Sequence, residues 1–189
     1  MAITNNRPIQ LEELHRRHPG LSEAASVMYA SAAAVMLAAN HSSPCNWAIR
    51  SGGEEVAMAV AWRDPTAEDQ RVMANQIDRI EAGAYSVALA AAGERLDYVT
   101  LGRVAHGLGA DWYLIPLSAT VNDDPELDLD RTDLVRYEVS GIESETDAEM
   151  KRRLSEKLDQ LREAGMPGAA WAAVIGFHLP QVWLAELEP

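Results

Sequence analysis

Cysteine is nearly absent from this chain. The single Cys45 excludes an intrachain disulfide framework and any zinc cluster built from cysteines. It follows Pro44 in an expected turn with no designated base beside it, so it is not read as a catalytic thiol. The five histidines (His15, His18, His41, His106 and His178) fall at no H-x-x-x-H or comparable spacing, which removes the usual zinc motifs. Basic side chains are scarce as well: 16 against 29 acidic ones give a formal charge of -13, which opposes non-specific binding to phosphate backbones and suits a basic partner. No strongly apolar run is long enough for a membrane helix. The most apolar stretch, Ala24 to Ala39, is mostly Ala and Ser, and its polar lead with Glu12, Glu13 and Glu23 lacks the basic start of a signal peptide. Neither a membrane segment nor a signal is expected, and the cytosol is the simplest home. Gly107-Leu108-Gly109 leads into an expected strand instead of following one and opening a helix, so it is not a dinucleotide fingerprint.

What remains is the composition of an ordinary folded protein, 48% hydrophobic and 24% charged over 189 residues, enough for one domain with a real core. The first twenty residues, with Pro8, Pro19 and Gly20, read as an arm carrying a short amphipathic turn, Leu11 to His15. Ser22 is a plausible N-cap for a helix to about Ala39. Asn46 to Arg50 and Glu54 to Trp62 flank Ser51-Gly52-Gly53 as a hairpin, with Val56, Met58, Val60 and Trp62 alternating. Asp64-Pro65-Thr66 opens the longest expected helix, Thr66 to Ala92, stopped at Gly93. Strands follow over Tyr98 to Ala105, Ala110 to Leu117 and Leu134 to Ile142, then a helix over Asp147 to Ala164, then a strand over Ala170 to Leu179 that Gln181 to Leu187 could continue. The expectation is a single domain, an N-terminal arm, helix and hairpin (1-63) before an α/β core (64-189) of order αβββαβ, with a central mixed sheet flanked by helices. No repeat or linker interrupts it, only an acidic loop from Asn122 to Asp133.

Two strands of that core carry a lone carboxylate inside an apolar run, Asp111 and Glu138. An ion removed from water costs several kcal/mol unless a partner or metal compensates. Each therefore has two readings. Asp111 either holds a cation or caps backbone amides at a strand entry, and Glu138 either shares that cation or pairs with Arg136, Arg103 or Lys157. A third acid, Glu81, lies at i+4 from Ile77 on the helix face that also carries Ala84 and Ala88, which points it inward, although drift of helix phase would leave it at the rim with Asp78.

The order αβββαβ, with Glu81 on the first helix, Asp111 entering the second strand and Glu138-Val139-Ser140 on the third, resembles the core of the PD-(D/E)XK, or restriction-endonuclease-like, nuclease superfamily over roughly Thr66 to Leu187. The resemblance implies that Asp111 and Glu138, with Glu81 as in some branches, hold a magnesium or manganese ion, and that the chain acts on a phosphodiester. Ser140 stands where the superfamily has its lysine. Two residues are placed to replace that charge. Arg136 is two before Glu138 and so on the same strand face, as an electrostatic stabiliser only. Lys157 borders the stripe Met150, Leu154, Leu158 and Leu161 of the following helix and either reaches the site, as in branches where the lysine has migrated to this helix, or lays its stem along the stripe with its charge in water. Catalytic residues on this reading are Asp111, Glu138 and Lys157; metal ligands are Glu81, Asp111 and Glu138.

Charge argues for a second class. From Asp123 to Glu149 there are eleven acidic residues against Arg131 and Arg136. Such a field repels nucleic acid unless metal or a basic partner offsets it. The alternative is a nuclease-like core without activity that docks a basic protein, as an antitoxin, an immunity protein or an accessory subunit of a bacterial defence assembly does. A nucleic-acid partner belongs to the first reading, a basic protein partner to the second. The Ala-rich N-terminal helix is a candidate homodimer interface under either.

Overall fold

The computed structural model describes residues 7–105, 109–119, 131–144 and 146–188. Gly107 and Leu108 of the glycine-bracketed turn, and the acidic loop up to residue 130, lie outside the described residues. In chain order the elements are β1 (Ile9–Gln10), a 3-10 turn (Leu11–Arg16), α1 (Glu23–Leu37), β2 (Cys45–Ser51), β3 (Glu54–Ala61), α2 (Ala67–Val72), α3 (Gln76–Arg95), β4 (Tyr98–Arg103), β5 (Trp112–Pro116), β6 (Val135–Ile142), α4 (Asp147–Glu163), β7 (Ala170–Gly176) and β8 (Gln181–Glu186).

All eight strands join one mixed sheet in the order β1-β3-β2-β8-β7-β6-β5-β4. β4, β5 and β6 are an antiparallel run, β7 lies parallel to β6, and β8 turns back antiparallel along β7. The N-terminal hairpin is not set apart from the core: β2 pairs in parallel with β8 from Ala48 opposite Gln181 to Ser51 opposite Leu184 and so extends the same sheet. Successive side chains of β6 point to opposite faces. The Tyr137 hydroxyl donates to the Ala88 carbonyl of α3, and the next residue, Glu138, meets Lys157 of α4. Helices α1 and α3 thus cover one face and α4 the other.

Small residues let the first layer close. A Cβ at Gly83 of α3 would lie 3.1 Å from the Ala33 Cα of α1, and the alanines around it, Ala30, Ala33, Ala34, Ala84 and Ala88, are fully or almost fully buried. α1 is wrapped by the 3-10 turn, α2 and α3. The large exposed side chains on it are Val27 and Met28, which is the apolar surface it leaves for the expected homodimer contact.

Three expectations about elements are corrected. The long helix is two: α2 starts at the Thr66 cap and its capping box with Asp69, then breaks at Met73, because the Asn75 side chain accepts the Ile77 and Asp78 amides and starts α3 afresh. Gly93 does not stop α3. Glycine inside a helix costs only about 1 kcal/mol relative to alanine, and the left-handed position that ends the helix is taken by Asp97 at φ 56°. Gln181 onward does not continue the previous strand but returns beside it as β8, after a turn holding Pro180.

Candidate functional site

β5 is shorter than the strand it pairs with, and the site lies in the difference. Pairing runs from Leu114 opposite Val135 to Trp112 opposite Tyr137 and ends there, while β6 continues to Ile142. Asp111, one residue before β5, fills the first vacant position: its amide donates to the Tyr137 carbonyl at 3.0 Å, and its carboxylate Oδ2 accepts the Val139 amide at 2.8 Å. Beyond it opens a cleft of about 380 Å³ lined by Asp111, Glu138–Gly141, the N-terminal half of α3 and two residues of α4. Gly141 sets its floor. A Cβ there would fall 2.6 Å from Ile80 Cγ2, so the missing side chain lets α3 press on β6 and brings Glu81 and Tyr85 to the rim.

Glu138 is 8% exposed and takes an ion pair from Lys157, whose ammonium lies 2.6 Å from Oε1 and donates also to Gln160 at 2.9 Å. Burial raises the Glu138 pKa, and the neighbouring Asp111 charge raises it further, while Lys157 pulls the other way. Asp111 is held on its other oxygen too. The Tyr85 hydroxyl contacts Asp111 Oδ1 at 2.8 Å and Glu81 Oε1 at 2.5 Å. That hydroxyl has one proton for two acceptors, so Glu81, Tyr85 and Asp111 behave as one hydrogen-bonded unit. Burial, then the Asp111 charge and the bond to Glu81, raise the Tyr85 pKa far above the usual phenol range and keep it a neutral donor.

Around this unit stands an aromatic wall. Tyr85 and Trp112 meet edge to face at 5.6 Å, and Tyr29 of α1 meets both, at 5.5 and 6.0 Å. The Arg103 guanidinium, at the end of β4, sits 4.3 Å from the Tyr85 ring centroid and 4.9 Å from that of Trp112, with its charge 3.7 Å from Asp111 Oδ1.

The structure therefore brings Asp111, Glu138 and Lys157 together, and places Glu81 at the same cleft on different terms. Glu81 is exposed instead of inward, as is Ile77 one turn earlier, since Ile80 between them is the residue of these turns that packs on β6. Among the described residues no three His, Cys, Asp or Glu side chains gather closely enough to hold a metal. The expected three-acid set thus reduces to the pair Asp111 and Glu138, with Glu81 joined to Asp111 through Tyr85. Arg136 is no substitute for the lysine: it is 4% exposed and turned under α4, donating to the Leu161 carbonyl at 3.3 Å. Ser140 lines the cleft without bringing charge. Sequence reasoning missed Tyr85, Arg153 and the stacked position of Arg103. Two signals were there, since Tyr85 follows Glu81 by four residues and Arg153 precedes Lys157 by four, which puts each pair on one helix face.

An all-oxygen pair fits a hard divalent cation, since magnesium is commonly held by one or two carboxylates with water and substrate oxygens completing the shell. Burial raises the Glu138 pKa first and the Asp111 charge adds to it, while Lys157 at 2.6 Å supplies one positive charge to the pair. Among the described residues no helix is long and apolar enough to cross a membrane. No protein-family model matches the chain, and neither does any curated protein or solved structure.

Proposed function

We propose that this chain is a metal-dependent, nuclease-like protein of the restriction-endonuclease-like type, acting on a phosphodiester. The observation that carries the reading is the meeting of Asp111, Glu138 and Lys157 in the gap where β5 ends, on elements that follow one another as α3-β4-β5-β6-α4-β7. Asp111 and Glu138 would hold magnesium or manganese, which when bound supplies Lewis-acid polarisation of a phosphoryl oxygen and a water nucleophile at neutral pH. The residues around them do the positioning. Val139 and Tyr85 fix the two oxygens of Asp111, and Lys157 orients Glu138. Lys157 also brings to the cleft the positive charge that Ser140 lacks, where it stabilises a phosphate gaining charge. Arg153 lines the same wall one turn earlier on α4.

A second reading is favoured by a specific observation: each acid of the cleft already has a protein partner, Lys157 for Glu138, the Val139 amide and Arg103 for Asp111, and Tyr85 for Glu81. An acidic binding subunit without catalysis, docking a basic protein as an antitoxin, immunity protein or defence-system accessory does, needs no more than that. Thermal unfolding with and without millimolar manganese separates the two. A ligand at about 100 times its Kd adds about 2.7 kcal/mol to the native state. The nuclease reading expects a rise in Tm in the wild type that disappears in Asp111→Asn and in Glu138→Gln. No rise in any of the three removes the catalytic reading.

A further inference from the structure

The cleft is small and exposed acids flank it, and together these limit what can enter. Its volume of about 380 Å³ is that of a small-ligand site. Double-stranded DNA presents one phosphate charge for about every 1.7 Å of its axis and would carry many of them across the flanking surface. That surface is acidic: Asp78 and Glu81 on α3 and Glu143, Asp147 and Glu149 around the start of α4 are all exposed, in a chain of net charge -13.

Flanking cations are partly spent on these acids, Arg79 on Glu143 and Arg50 on Asp147, whereas three others stand at or beside the cleft. Lys157 and Arg153 line it from α4, and Arg103 contacts Tyr85 and Asp111 from the opposite side. Arg103 is held by its stack on two rings yet its side chain stays 43% exposed, so the guanidinium is fixed in direction while part of its fork remains open to solvent. A planar fork pre-oriented in this way suits a phosphate oxygen pair, and it loses little rotamer freedom on binding one.

We infer that the substrate of this cleft is a single-stranded nucleic-acid end held through two or three phosphates, with Arg103 binding the phosphate next to the reacting one. The inference rests on the nuclease-like reading and names its substrate class. It is tested by fluorescence anisotropy of a short labelled oligodeoxythymidylate, single-stranded or paired with its complement, in calcium over a series of salt concentrations. The single strand should bind at least tenfold tighter than the duplex. Its log K should fall with log salt at a slope of about -1.4 to -2.1, the value for two to three phosphates on a single strand. Arg103→Gln should weaken binding by about tenfold and make the slope shallower by about 0.7, a change that a purely structural role would not produce. Arg103→Lys, which keeps charge but not the planar stack, should recover the slope and only part of the affinity. Tighter duplex binding, a slope steeper than about -4, or an Arg103→Gln slope equal to the wild type overturns the inference. A manganese shift that depends on Asp111, with neither probe bound, also overturns it while leaving the metal site standing. Absence of both the shift and probe binding removes the underlying reading as well.

Discussion

Acid should weaken this fold at one identifiable point. His18 is 1% exposed, and its Nδ1 accepts the Thr100 amide at 3.1 Å, an arrangement open only to the neutral ring. Burial, with the charge of Arg17 beside it, lowers its pKa to about 4 from the ordinary 6.5. Between those two values the unfolded chain binds a proton that the folded chain refuses. The contribution of His18 is therefore complete above about pH 6.5 and is lost as the pH falls toward about 4. Each pKa unit is worth 1.36 kcal/mol, so the loss over the window is about 3 kcal/mol, of the order of a third of a typical domain's stability. Urea unfolding across that pH range, on the wild type and on His18→Asn, isolates this from the many carboxylates titrating nearby. Asparagine can offer an oxygen to the Thr100 amide without titrating. The wild type should lose about 3 kcal/mol more than the variant between the two ends of the range. Parallel curves would refute the assignment. The neighbouring Gly20 amide bonds the Thr100 carbonyl, so the same residues pin the N-terminal arm to β4, the strand that carries Arg103.

Two substitutions probe how the cleft is assembled. Gly141→Ala puts a methyl 2.6 Å from Ile80 Cγ2 and 2.7 Å from the Ile80 carbonyl oxygen. It should cost about 2 kcal/mol or more in urea unfolding by lifting α3 from β6, and an unchanged midpoint would show that the two layers do not bear on each other there. Lys157→Met removes the cation from Glu138, whose carboxyl is already raised by burial. Breaking a buried pair costs about 3 to 5 kcal/mol. Here both side chains keep slight solvent contact, 17% and 11%, and about 1 to 2 kcal/mol is expected at neutral pH. The loss should shrink on acidification, because a protonated Glu138 no longer misses its partner; a loss independent of pH would mean that Lys157 contributes packing alone.

How much of this was readable beforehand depends on what kind of signal each residue carries. Strands β4 to β6 and helix α4 were legible because period and caps agree: Thr146 and Glu149 form a capping box before the apolar stripe of α4, and that stripe placed Lys157. Asp111, Glu138 and Lys157 then followed from element order. Glu81 did not, because its orientation depends on where α3 begins. One asparagine side chain decides that start, and an unbroken helix from Thr66 would have covered Glu81 differently. Arg136 and Lys157 were both placed near the site on paper, with Lys157 preferred. What distinguishes them is which lies under α4 and which beside it, a matter of tertiary packing that strand alternation does not encode. Tyr85 was passed over in the sequence, and only the convergence of Glu81 and Asp111 on its hydroxyl gives it a role.

Asp111 terminates a strand pairing as well as facing the cleft, and this changes what its presence in any relative would mean. Its carboxylate occupies the Val139 amide that β5 fails to reach, so it closes a short stretch of bare sheet edge. Exposed edges of this kind recruit strands from other molecules, and chains are under pressure to blunt them whatever else they do. Even a chain without any chemistry gains from an acceptor at this position. An aspartate at this position therefore need not signal chemistry, whereas Glu138 and Lys157 close no edge and carry no such second reason to be there.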